Sequence, residues 1–202
     1  MAGRKHPGDG DTASRILDAA ERLVQRRGFN GFSYADVAAE LDITKASLHY
    51  HFAGKAELGE ALIDRYANRF TEALSAIDSR RSDAPAKLAA YANLYTRALR
   101  DERMCLCGML AAEYQTLPQQ MQTAVIRFFD DNETWLRHVL EVGSDEGTLS
   151  VSGSPSNTAR LVISSLEGAM LVARPYGDVA RFQAAARQLI ASLVARSPAP
   201  TA

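Results

Sequence analysis

The sequence predicts an all-α fold of about nine helices, and three observations predict it. Apolar residues recur three and four apart along most of the 202 residues. Capping and stop signals punctuate those runs, and no segment alternates with period two between hairpin turns. Composition is that of a globular domain, with 47% hydrophobic and 23% charged residues. The 23 Lys+Arg against 24 Asp+Glu leave a net charge of -1, which excludes a globally basic coat but not a small basic reading surface. No apolar run approaches the ~18–20 residues of a bilayer span, so no membrane association is expected. The N-terminus has no apolar signal region, and Cys105 and Cys107 are too few for a disulfide framework. A cytoplasmic location is therefore expected.

Each element has its own reason. Ile16, Leu17, Ala20, Leu23 and Val24 form the stripe of a first helix, closed by Arg26-Arg27-Gly28. Ser33-Tyr-Ala-Asp36 reads as a capping box opening a short helix with Val37, Ala38 and Leu41 on its apolar face. Thr44 caps a third helix, Lys45 to His51, ending near Phe52. A long helix over 55–79 carries Leu58, Leu62, Tyr66, Phe70, Leu74 and Ile77. Pro85 starts the next, with Leu88, Tyr91, Tyr95 and Leu99 inward. A helix from Met104 to Tyr114 follows. Pro118 then opens another, which shows Met121, Val125, Phe128, Trp135 and Val139 before Gly143. The polar stretch Gly143 to Ser156 reads as a loop, and helices over 155–174 and 178–196 complete the chain. The expected organisation is a tail over 1–11, three short helices over 12–54, a helical domain over 55–196 and a tail over 197–202. Three short helices bury little alone, so they are expected to pack on the fourth.

Leu41-Asp42-Ile43-Thr44 joins two amphipathic helices almost without a loop, the economy of a helix-turn-helix. Leu48 and Phe52, four apart, anchor the third helix inward. Thr44, Lys45, Ser47, His49 and Tyr50 are then left for the exposed face, with polar groups of a length suited to phosphates and base edges. Arg4 and Lys5 read as a solubilising tail or a minor-groove arm. His49 and His51 project to nearly opposite sides of a helix, as do Cys105 and Cys107, so no metal site is expected. No Walker loop, G-x-G-x-x-G or G-x-S-x-G occurs, and Glu113, His138 and Asp145 lie scattered, so neither a cofactor nor an enzyme is expected.

Ile43-Thr-Lys-Ala-Ser-Leu-His-Tyr-His-Phe52 with Gly54-Lys55-Ala-Glu57-Leu58 resembles the DNA-binding signature of the TetR/AcrR family of bacterial transcriptional regulators. Gly28-Phe29, Phe32-Ser33 and Val37-Ala38 match the same pattern, which covers roughly residues 12–60. The resemblance implies a homodimeric, ligand-responsive repressor. An N-terminal helix-turn-helix would read double-stranded operator DNA, and a C-terminal domain would bind an effector and dimerise. It places Ser33 and Thr44 as capping hydroxyls that touch phosphate, Lys45, Ser47 and His49 against DNA, and Tyr50 and Lys55 at phosphates. Lys55 also reads as a solvated residue at a helix start. Asp42 stands where the family usually has glycine, and His49 and His51 where it usually has tyrosine. Base preference at His49 is therefore not carried over.

Aromatic and methionine side chains from several helices (Tyr91, Tyr95, Met104, Met109, Tyr114, Met121, Phe128, Trp135 and Met170) suit an apolar effector pocket or an ordinary core. The effector expected is a small apolar or amphipathic molecule. The run Cys105 to Glu113 also resembles a segment of family members that sense electrophiles or oxidants through a cysteine, which makes Cys105 an alternative sensor. A helical carrier without a DNA role is a further alternative. Small residues on the last two helices suggest a four-helix dimer contact through Leu166, Ala169, Leu189 and Leu193.

Overall fold

The computed structural model describes residues 9–195. They form nine α-helices: α1 (Asp9–Arg27), α2 (Tyr34–Leu41), α3 (Lys45–His51), α4 (Lys55–Arg80), α5 (Ala84–Arg100), α6 (Leu106–Ala112), α7 (Gln119–Asp145), α8 (Pro155–Ala173) and α9 (Val179–Leu193). Among the described residues there is no strand beyond one isolated bridge between Leu149 and Val194. The all-α expectation therefore stands.

Three boundaries differ from the sequence reading. Helix α1 begins at Asp9, inside the stretch read as a tail, while Arg4, Lys5 and the 197–202 tail lie outside the described residues. The helix expected from Met104 starts at Leu106, and the Cys105 backbone N–H just before it donates to Met170 Sδ at 3.2 Å. It ends at Ala112, and a 3-10 turn over Tyr114–Thr116 leads to Pro118. Helix α7 runs through Gly143 to Asp145 rather than stopping before it. A mid-helix glycine costs about 1 kcal/mol relative to alanine. Close packing explains this one, since a Cβ there would stand 2.6 Å from both Ala84 Cβ and Leu149 Cδ1.

The chain forms two compact units. The first runs to Asn68 and adds Leu106–Ile126; the second holds Arg69–Cys105 and the chain from Arg127 onward. Helices α4 and α7 are each divided between them. In the first unit, α1 packs on α2 and α6, and α2 on α3. Its core is Ile16, Ala20, Val24, Val37, Leu48, Leu58, Leu62, Leu106, Leu110 and Met121. Arg65 of α4 pairs with Asp18 at 2.9 Å and Glu21 at 3.0 Å, fastening α4 to α1. Gly59 permits close approach: a Cβ there would meet Met121 Sδ at 2.5 Å and the Phe29 ring at 2.9 Å.

In the second unit α8 and α9 pack together, and α5 packs on both. The residues expected at a dimer face lie on these two helices. Leu166 (1% exposed) and Leu193 (8%) belong to the unit's own core, and Ala169 and Leu189 are half-buried. Leu166 shares its helix face with buried Val162, Ile163 and Met170, three and four residues away. The apolar residues that α8 turns outward are Leu161, Leu171 and Val172.

Candidate functional site

The α2–α3 corner is built by local rules. At the α2 N-terminus the Ser33 N–H and hydroxyl both donate to Asp36 Oδ2, at 2.7 and 2.6 Å. Those donors, with Arg27 nearby, hold the Asp36 carboxyl below its ordinary range. Asp42 closes α2 in the left-handed region (φ 53°, ψ 48°), the conformation a turn glycine adopts freely and an aspartate tolerates. Thr44 Oγ1 then accepts from the Ser47 N–H at 3.1 Å and caps α3. Leu48 is fully buried and Phe52 nearly so, which orients the helix. Thr44, Lys45, His49, Tyr50 and Ser33 are exposed and Ser47 is half-buried, so the residues expected to read DNA are accessible.

Further contacts immobilise the end of α3. The Tyr34 hydroxyl donates to the Phe52 carbonyl at 3.0 Å, and the Ala53 N–H donates to Glu57 Oε2 at 2.8 Å. Burial, with Glu57 nearby, pushes the Tyr34 phenol up to about 12, so it remains a donor. His49 Nδ1 lies 3.1 Å from the Ala53 carbonyl. A carbonyl only accepts, so Nδ1 carries the hydrogen, and in the neutral ring Nε2 is an acceptor.

Lys55 departs from the picture of a solvated side chain. Its ammonium is half-buried and donates to the Phe29 and Phe32 carbonyls, 4.5 and 4.3 Å from the centroids of their rings. Burial pulls its pKa down, while Glu113 and Asp36 hold it up. From the other side, the Phe29 N–H donates to Glu113 Oε2 at 2.6 Å and the Asn30 N–H to the same oxygen at 3.2 Å. The Asn30 side chain reaches Thr116 Oγ1 at 2.7 Å. The α1–α2 loop is thus gripped by a cation at its carbonyls and an anion at its amides. Gly28 makes this possible: it is left-handed (φ 83°), and a Cβ there would lie 2.5 Å from Glu113 Oε1.

The bacterial regulatory protein model, tetR family, matches residues 16–62, and the tetracyclin repressor-like C-terminal domain model matches residues 84–189. The chain belongs to the TetR family. A TetR-family transcriptional regulator from Agrobacterium tumefaciens superimposes with a TM-score of 0.89 at 32% identity, covering 93% of this chain and 100% of that one. A TetR transcriptional regulator from Legionella pneumophila gives 0.82 at 33% identity, covering 96% and 100%. The HTH-type transcriptional repressor NemR of Escherichia coli is 26% identical over 170 residues, 81% of this chain and 84% of that protein.

In this TetR-family chain the residues expected to line an effector pocket are found in both units. Met109 and Tyr114 belong to the first unit. In the second, Tyr91, Tyr95 and Phe128 are buried and packed ring on ring: Tyr91 stacks on Trp135 at 5.6 Å, and Phe70 meets Phe128 at 5.2 Å. The Tyr91 and Tyr95 hydroxyls lie 3.1 Å apart, and Tyr91 also donates to Asn132 Oδ1 at 3.2 Å. Trp135 Nε1 donates to Asp78 Oδ2 at 2.8 Å. Burial raises both phenols well above their ordinary value. Met170 is buried against the Cys105 amide.

Cys105 is buried beside a carboxyl. Burial pushes Glu167 up to about 7, and hydrogen bonds from Cys105 and Tyr95 draw it partly back. Glu167 Oε1 is buried without a hydrogen-bond partner. A reactive thiol needs partial exposure, and this one is buried. Sequence reasoning missed Glu167, Tyr34 and the role of Glu113. Their partners lie far along the chain or within runs already explained as helix, and no local pattern marks them.

Two outcomes follow from this geometry. Glu113→Ala leaves the Phe29 and Asn30 amides without their acceptor, and urea unfolding of the whole chain should show a loss of about 1–3 kcal/mol. An unchanged midpoint and slope would contradict the grip. Glu167 has a folded-state pKa raised from 4.5 to about 7, so its stabilisation is full below pH 4.5 and lost as pH rises through 7. Between pH 5 and 8 the wild type should lose of the order of 2 kcal/mol more than Glu167→Gln, after discounting for the residue's partial exposure. Parallel stability profiles of the two proteins would show that the carboxyl is solvated.

Proposed function

We propose that this chain is a dimeric, ligand-responsive repressor in which α3 of each subunit enters the major groove of a palindromic operator. The observation that carries the reading is the α3 surface. Leu48 and Phe52 hold the helix inward, and Thr44, Lys45, His49 and Tyr50 stand exposed beside Ser47. An α-helix fits the major groove, where donor and acceptor patterns differ for every base pair. In this reading Lys45, Tyr50 and the Ser33 and Thr44 hydroxyls meet phosphates, and Ser47 and His49 meet base edges. Lys55 acts chiefly by positioning the loop that carries α2, with one ammonium donor left over for a phosphate.

TetR-family regulators bind operator DNA and dimerise. The outward Leu161, Leu171 and Val172 of α8 supply an apolar face for a two-fold contact. Among the described residues, no helix is long and apolar enough to cross a membrane. Action on DNA in the cytoplasm, as a regulator, fits the family to which the chain belongs and the transcriptional regulators it is similar to. The effector input is better assigned to ligand binding than to Cys105, because that thiol is enclosed and neighboured by a carboxyl.

The test is operator binding. Half-sites should lie ~34–36 Å apart or a multiple of it. Lys45→Ala should weaken all sequences alike and reduce the salt slope by about one per subunit, whereas Ser47→Ala should change base preference at one position. Equal salt slopes for wild type and Lys45→Ala would remove the phosphate role. For assembly, Leu171→Asp should give folded monomers in sedimentation. Leu166→Ala should leave association intact while costing about 2–5 kcal/mol of stability. A dimer unaffected by Leu171→Asp would place the contact elsewhere.

A further inference from the structure

The second unit holds a cavity of about 320 Å³, at the small end of ligand-binding clefts and separate from the aromatic cluster. Its apolar wall is Leu99, Met104, Ala173 and Val179. Arg103 lines it as well, half-buried, with a buried Nε that has no hydrogen-bond partner. A buried guanidinium donor without an acceptor is costly. The remaining charges of the cleft are Arg174, Glu102 and Asp178. Asp178 Oδ1 already accepts from the Ala180 and Arg181 amides at 2.9 and 3.3 Å as the α9 cap. Arg174 and Glu102 have interactions of their own. Arg103 is thus the lining cation that keeps a donor without an acceptor in the protein. Glu102 sits in the left-handed region (φ 56°) just before it, a conformation uncommon for a residue with a side chain.

We infer that this cleft binds a small organic acid, its carboxylate held by the Arg103 guanidinium and its apolar body against Leu99, Met104, Ala173 and Val179. A carboxylate matches the planar guanidinium fork with two parallel N–H···O bonds, and an apolar body suits the wall. The inference deepens the regulator reading by naming an effector class. It rests on that reading only for what the ligand does to DNA. The cleft is built on the segment between α5 and α6 and on the segment between α8 and α9.

The test uses the full-length chain with hexanoate as the probe, 1-hexanol as its uncharged counterpart and inorganic phosphate as an anion without an apolar body. Calorimetric titration should show one hexanoate per chain, with 1-hexanol and phosphate at least about tenfold weaker. Arg103→Met should lose hexanoate by about tenfold or more, and Val179→Trp, which fills the apolar wall, should lose it too. Arg100→Met, outside the cleft, should change nothing. Equal binding of hexanoate by wild type and Arg103→Met, or of hexanol and hexanoate by wild type, overturns the proposal. So does an absence of saturable binding up to about 10 mM. A chain that holds operator but never binds hexanoate refutes the cleft alone. A chain that binds hexanoate but no DNA leaves the cleft standing and refutes the regulator reading.

Discussion

The reading head depends on how the loop between α1 and α2 is held. Six residues there, Gly28 to Ser33, join α1 to the helix that carries the α2–α3 corner, and a loop this short keeps its shape only if its backbone groups are satisfied. Lys55 takes two of its carbonyls and Glu113 two of its amides. Hydrogen bonds to charged groups contribute about 1.5–3 kcal/mol each when sheltered, and a cation over an aromatic ring adds roughly 0.5–1 kcal/mol. Leu48 and Phe52 fix how α3 is turned, but the loop fixes where α2 and α3 begin.

That arrangement assigns distinct work to residues that look alike in sequence. Lys45 and Lys55 are both lysines at a helix start; one is exposed and suited to a phosphate, the other is enclosed by carbonyls and rings. The second unit shows the same contrast among polar groups. Tyr91, Tyr95 and Asn132 satisfy one another in the core, whereas Glu167 Oε1 and Arg103 Nε are buried without partners. A fully paired polar network rigidifies, and an incomplete one marks a place where protonation or a ligand changes the balance.

What the sequence made legible was what local spacing controls. Thr44 as a cap and the inward pair Leu48 and Phe52 depend on neighbours within four positions, and each is found as read. The grip of Glu113 on Phe29 spans 84 residues and has no local signature. Helix α8 is apolar on more than one side, so periodicity could not say that Leu166 faces its own core while Leu171 faces out. Gly143 read as a stop because a glycine in a helix is costly, and only the closeness of Ala84 and Leu149 explains why α7 continues. The aromatic residues were rightly grouped as large and inward, but spacing cannot distinguish a filled core from a cavity wall.

The most direct test of this account is amide hydrogen exchange of the intact chain, wild type against Glu113→Ala, read at Phe29, Asn30 and Leu48. If the ionic grip on the loop sustains the reading head, the wild-type amides of Phe29 and Asn30 are protected. In the variant they exchange at least about tenfold faster, and the Leu48 amide in α3 follows them. Unchanged exchange at all three would contradict the account and leave α3 held by its apolar anchors alone.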